Sequence, residues 1–211
     1  MVFLLGYPVG HSLSPRMQNA AFAAAGLDWE YVLRDVLPEE LESAVREVGY
    51  ANVTAPYKLD AARILGSELP SVNTIVGGNG FSTDAAILEQ VTSCYKPAIV
   101  GGGGAAAAFR RALPDARVFS RRGEWPPEVR DADLVIHATP VRDELLFELR
   151  EGQTLIDLPY PRTATADAAA AACAHVLDGL EVLVAQGAAS FELWTGSPAP
   201  VQTMRQAVGL T

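Results

Sequence analysis

Cysteine is nearly missing from this chain: its 211 residues hold two, Cys94 and Cys173, far apart and in no metal-like spacing. That excludes a cysteine metal site, and both thiols are expected to be small buried hydrophobes. His11 has no second His or Cys at ligand spacing and should make only local hydrogen bonds, so no metal is expected. An excess of positive charge is lacking too, with 16 Lys and Arg against 25 Asp and Glu and a net charge of −9. Such a field repels phosphate backbones and anionic membranes, so neither nucleic acid nor a membrane is an expected partner. A small anionic ligand remains allowed, because local groups set its binding. No apolar run reaches the roughly 18 residues that span a bilayer. Met1-Val-Phe-Leu-Leu-Gly lacks a basic n-region and meets Gly6 and Pro8 too soon for a signal peptide, so a soluble, cytoplasmic protein is expected. No coiled-coil pattern or apolar stripe sets the oligomeric state, which leaves monomer or homodimer open.

What is present, 49% hydrophobic and 19% charged residues, fits a compact globular protein. Val2–Leu5 reads as a buried strand ending at Gly6-Tyr7-Pro8, and Ser14-Pro15 as an N-cap with proline at the first helical position, opening a helix to about Ala25. Strands are expected at Trp29–Arg34, Asn52–Thr54, Val72–Val76 and Gly80–Phe81, with helices at Pro38–Glu47, from Pro56, and after Asp84. A second block starts near Pro97, with strands at Ala98–Val100, Arg117–Phe119, Asp133–His137 and Thr154–Asp157 and a helix at Ala164–Ala174. Strands alternating with helices indicate an α/β protein with mainly parallel sheets. The expected division is a first domain over 1–95 and a second over 96–197, with a final helix near Pro200–Val208 packing back on the first.

Gly101, Gly103 and Ala106 satisfy G-x-G-x-x-A directly after a strand and at a helix start. Glycine permits the turn and the close approach of a pyrophosphate, and free N–H groups at the helix N-terminus face the anion. Strand–turn–helix context is what makes this pattern a dinucleotide site rather than an ordinary glycine-rich loop. An NAD site would carry Asp or Glu at the end of the next strand; Ser120-Arg121-Arg122 stands there instead. Two guanidinium groups suit a 2′-phosphate, hence NADP, although a solvated basic pair on a loop has the same sequence.

Asn52-Val-Thr-Ala-Pro-Tyr-Lys58 puts a lysine in the first turn of a helix, at the positive end of its dipole. A cation kept there suggests a proton-transfer task at a carbonyl or alcohol oxygen. Taken alone, such a lysine is ordinarily a surface charge, and Asp84 after Thr83 an ordinary N-cap. Both, however, fall at strand–helix junctions, where open α/β sheets bind ligands.

Together these segments resemble the shikimate dehydrogenase family. The resemblance runs through Gly6-Tyr-Pro-Val-Gly-His-Ser-Leu-Ser14-Pro, Asn52-Val-Thr-x-Pro-x-Lys58, Val72-Asn73-Thr74, Thr83-Asp84, Gly101-x-Gly-Gly104, Ser120-Arg121, Ala138-Thr139-Pro140, Asp157-x-x-Tyr160 and Leu183-Val-x-Gln186-Gly. It implies an N-terminal, mainly parallel α/β substrate domain and a C-terminal Rossmann-type NADP-binding domain with a cleft between them. It implies Lys58 as acid/base group with Asp84 as partner, and Ser12, Ser14, Thr54, Asn73, Tyr160 and Gln186 at the substrate. Gly101, Gly102, Gly103, Gly104 and Ala105 would hold the pyrophosphate, Ser120, Arg121 and Arg122 the adenosine phosphate, and Thr139, Leu158 and Gly179 would lie along the cofactor. The implied reaction is reduction of 3-dehydroshikimate by NADPH; a quinate or amino-shikimate dehydrogenase and a non-catalytic NADP-binding regulator are the alternatives. His137 stands where the family often has asparagine and is expected to line the cofactor cleft without catalysing; Trp194 is expected in the interdomain seam. The chain is short for the family, compressed before Asn52, between Lys58 and Asn73, between Asp84 and Gly101, and after Tyr160.

Overall fold

The computed structural model describes residues 1–92 and 96–211. These form two compact units, one of residues 1–86 and 184–211 and the other of residues 87–183. Cys94 and part of the expected domain boundary lie outside the described residues.

The first unit is built on a five-stranded sheet ordered β2-β1-β3-β4-β5. Its strands are β1 (Val2–Gly6), β2 (Tyr31–Asp35), β3 (Tyr50–Val53), β4 (Thr74–Val76) and β5 (Asn79–Phe81). β2, β1 and β3 are parallel, and β4 and β5 extend the sheet as an antiparallel hairpin. That hairpin turns on Gly77 and Gly78, both at positive φ, the geometry a two-residue turn demands. The core gathers Leu5, Val45, Ala51, Val53 and Ile75 from strands and helices, with Val72 from the stretch before β4. Helix α1 (Ser14–Ala24) buries Ser14, Met17, Gln18, Ala21 and Phe22, a stripe at helical spacing, and packs against α7 (Val201–Val208). Phe22 stacks on Phe191 at 5.7 Å. Trp194 is buried, its indole N–H donating to the Ile75 carbonyl at 3.1 Å.

The remaining short helices differ from expectation in where they begin. Pro38–Glu40 is a 3-10 turn preceding α2 (Leu41–Glu47), and α3 runs Lys58–Ile64 rather than from Pro56. Ser14 is not the N-cap of α1. Leu13 holds that position, and the Ser14 N–H is taken by the Ser12 hydroxyl at 3.2 Å.

The second unit carries a fully parallel sheet ordered β10-β9-β8-β6-β7. Its strands are β6 (Pro97–Val100), β7 (Arg117–Phe119), β8 (Leu134–His137), β9 (Thr154–Asp157) and β10 (His175–Leu177). β6 and β8 are buried along their whole length, as central strands of a covered parallel sheet are. Helices α4 (Gly104–Ala112) and α5 (Ala164–Ala171) follow β6 and β9. Thr163 caps α5, accepting the Ala166 N–H at 3.1 Å. Cys173 was expected to be buried but is exposed, because it turns the chain from α5 to β10 in a left-handed conformation, φ 58°. Helix α6 (Gly179–Thr195) starts in the second unit and ends in the first.

Candidate active site

In the first sheet the chain moves from β1 to β2 on one side and to β3 on the other. The carboxyl ends of β1 and β3 therefore flank a topological switch point, where open α/β sheets bind ligands. Backbone bonds lock those ends together: the Thr54 N–H donates to the Leu5 carbonyl at 2.8 Å and the Tyr7 N–H to the Ala55 carbonyl at 3.3 Å. Three predicted groups issue from here. Ser12 and Ser14 follow β1, their hydroxyls 3.2 Å apart. Thr54 follows β3, half-buried, and Lys58 opens α3 four residues later. Tyr57, the N-cap of α3, donates its hydroxyl to the Val36 carbonyl at 2.7 Å. Burial pushes this phenol above its ordinary value, and Glu39 adds to the effect, so the anchor stays protonated.

Lys58 Nζ lies 2.5 Å from Asp84 Oδ1, with the two side chains 16% and 7% exposed. The carboxylate offsets the cost of a cation at a helix N-terminus. Asp84 does not cap a helix: only a 3-10 turn follows, at Ala86–Gln90, and its carboxyl group is engaged elsewhere. Asn73 Nδ2 donates to Asp84 Oδ1 at 3.2 Å, to Thr83 Oγ1 at 2.9 Å and to Gln186 Oε1 at 3.3 Å. Asp84 Oδ2 is buried and has no partner among the described residues. A buried carboxylate oxygen without a donor is costly, and it suits a site whose ligand brings a hydroxyl.

Beneath this pair lies a layer that sequence reasoning did not assign. Ser190 Oγ sits 3.0 Å from Asn52 Nδ2, 2.9 Å from Thr74 Oγ1 and 3.1 Å from Thr83 Oγ1, and donates to the Gln186 carbonyl at 2.9 Å. Tyr31 donates its hydroxyl to Asn52 Oδ1 at 2.9 Å, and the Thr83 N–H donates to Asn73 Oδ1 at 2.7 Å. Gln186 and Ser190, one helical turn apart on α6, were the available signal. The structure thus brings Lys58, Asp84, Asn73 and Gln186 together, while Tyr160 belongs to the second unit, half-buried in the turn after β9.

The second sheet has its own switch point, at β6, with β7 on one side and β8 on the other. Gly101 lies there at φ 148°, and a side chain on it would overlap the Ala138 carbonyl at the end of β8. Only glycine fits both conditions. Gly102 and Gly103 are exposed, Gly103 is the N-cap of α4, and Gly104 and Ala105 form its first turn, so their N–H groups suit a pyrophosphate. At the end of β7 the Ser120 N–H donates to the Glu124 carbonyl at 3.1 Å, turning the loop so that Arg121 and Arg122 are exposed. Arg121 lies over the Trp125 ring at 5.5 Å and 4.0 Å from Glu144. Thr139 follows β8, and Leu158 follows β9, its N–H donating to the His137 carbonyl at 3.0 Å. Gly179, at the start of α6, abuts the Pro159 carbonyl. These residues fit a dinucleotide: close backbone approach, free amides, and cations where a ribose phosphate would lie.

A parallel sheet with a glycine turn at its switch point, together with a unit carrying a half-buried lysine on a buried carboxylate, defines a two-unit α/β protein of the Rossmann-type dehydrogenase class. Residues 4–75 match the shikimate dehydrogenase substrate binding domain, and residues 179–208 the shikimate 5'-dehydrogenase C-terminal domain. The chain belongs to the shikimate dehydrogenase family. It is 36% identical to the shikimate dehydrogenase (NADP(+)) of Methanopyrus kandleri, covering 99% of this chain and 94% of that one. Their alignment runs over 274 residues, more than this chain has, so segments of the relative lack counterparts here. Among solved structures, shikimate dehydrogenase from Aquifex aeolicus matches with a TM-score of 0.86 at 27% identity, covering 99% of this chain and 97% of that one. The Thermus thermophilus shikimate 5-dehydrogenase in complex with NADP(H) and shikimate matches with a TM-score of 0.83 at 30% identity, covering 98% and 97%.

Proposed function

We propose that this chain catalyses the reversible, NADP-dependent reduction of 3-dehydroshikimate to shikimate. The observation that carries this reading is the half-buried Lys58 paired with the buried Asp84, with a carboxylate oxygen left over for a ring hydroxyl. NADPH, when bound, supplies the hydride that reaches the ketone carbon. Lys58 Nζ–H then gives its proton to the carbonyl oxygen in reduction and recovers it in oxidation. Asp84 holds Lys58 in place through Oδ1 and accepts a substrate hydroxyl at Oδ2, while Asn73 fixes the carboxylate from beneath. Ser12 and Ser14, with Thr54 beside them, offer hydroxyl donors to the substrate carboxylate, and Gln186 and Tyr160 complete its surroundings. In the second unit, Gly101–Ala105 receive the pyrophosphate, Ser120, Arg121 and Arg122 the adenosine phosphate, and Thr139, Leu158 and Gly179 lie along the cofactor.

The test is an absorbance assay for reduced nicotinamide with purified protein, offering shikimate and quinate, each with NADP and with NAD. Turnover on shikimate with NADP is expected. Lys58→Ala should lower kcat about 100-fold or more while changing KM far less. Wild-type silence on both acids would overturn the activity, and a variant close to wild-type turnover would remove Lys58 from the chemistry.

A further inference from the structure

The second unit contains a line of side-chain bonds behind Thr139 whose two buried members, His137 and Asp157, the reaction above leaves without a task. His137 ends β8 and pairs in register with Asp157 at the end of β9, both fully buried. His137 Nδ1 lies 2.7 Å from Asp157 Oδ1, and Nε2 lies 2.7 Å from Thr139 Oγ1. The second Asp157 oxygen accepts the Thr163 N–H at 3.3 Å, and Phe147 meets the imidazole edge-on at 6.0 Å.

The direction of each bond follows from the groups involved. A carboxylate only accepts, so Nδ1 carries a hydrogen, and in the neutral ring Nε2 then presents its lone pair. Thr139 must then donate its O–H to Nε2, while its oxygen accepts the Val141 N–H at 3.2 Å. Its hydroxyl hydrogen is thereby committed, and what remains for a ligand is one lone pair. Unlike the sealed imidazole, Thr139 is half-buried and can be reached. It also directly follows Ala138, whose carbonyl occupies the space a side chain at Gly101 would need.

We propose that the buried Asp157–His137 pair is a positioning device for dinucleotide binding: it fixes the Thr139 hydroxyl as an acceptor and holds the 139–141 loop beside the glycine turn. The ligand group that meets Thr139 is then a hydrogen-bond donor, not a phosphate oxygen. This rests on the reading of the second unit as the NADP site. His137 acts through Thr139 and touches no reacting atom.

Two readouts test it. The first is the His137 tautomer, from nitrogen NMR of the unliganded protein, its signal identified by removing those of the two exposed histidines with His11→Gln and His175→Gln. The second is the NADP+ dissociation constant by calorimetry for wild type, His137→Asn, Thr139→Val and the double variant. His137→Asn keeps a donor for Asp157 and removes only the acceptor for Thr139. Hydrogen on Nδ1 is expected, with each single variant binding about tenfold more weakly and the double variant no worse than either. Hydrogen on Nε2, losses that add in the double variant, or wild-type affinity in either single variant would overturn the proposal. Should His137→Asn fail to fold, the tautomer and Thr139→Val still decide. A wild-type protein that binds no NADP+ sinks the cofactor reading and the proposal with it, whereas NADP+ binding with losses that add sinks the proposal alone.

Discussion

Lys58 shows how one residue's placement carries meaning that its type does not. A lysine at a helix N-terminus opposes the dipole, and here a carboxylate 2.5 Å away compensates. The lysine and aspartate were legible as residues at strand–helix junctions, but their contact was not, since 26 positions separate them. Arg121 is the opposite case, an exposed cation whose task depends on a ligand. Its contacts with Trp125 and Glu144 are loose and solvated, at 5.5 and 4.0 Å, and should contribute little to stability. Arg121→Ala is therefore expected to weaken NADP+ about tenfold and leave NAD+ nearly unchanged, as read by titration of each. Equal losses for both cofactors would assign Arg121 a structural part instead. Cys173 marks a limit of reading by residue type: free cysteines are usually buried, yet this one lies in an exposed turn.

At the level of elements, short apolar runs before turns located most strands, and their order implied parallel sheets. Two elements went unread. β10 has three residues, and α6 is apolar on nearly every side (Leu180, Val182, Leu183, Val184, Ala185, Ala188, Ala189), so no helical period stands out. That helix nevertheless brings Gln186 and Ser190 under the Lys58–Asp84 pair. Ser190 is fully buried and bonded to four groups. Ser190→Ala should cost about 1–3 kcal/mol, because Asn52, Thr74 and Thr83 each lose a buried partner. Denaturant unfolding measures this directly; a midpoint equal to wild type, with the same slope, would show that the layer repairs itself.

Across the molecule, each unit has its own sheet and its own switch point, so each ligand should stabilise its own unit. Hydrogen exchange followed by mass spectrometry separates them. NADP+ at about 100 times its Kd should slow the slowest-exchanging amides of 97–183 about 100-fold, and shikimate should do the same within 1–86 and 184–208. Protection by NADP+ confined to the first unit would contradict the division of labour. By itself, the sequence determined the α/β class, the glycine turn and the positions of the candidate site residues along the chain, because these rest on local pattern: apolar runs, turn residues, and motifs whose spacing is short. Only the tertiary structure decided which of those residues meet. The Lys58–Asp84 contact, the Ser190 layer and the Asp157–His137–Thr139 line all join side chains from separate elements, and only the strand registers of the two sheets, parallel and antiparallel, and the packing of α6 set those distances.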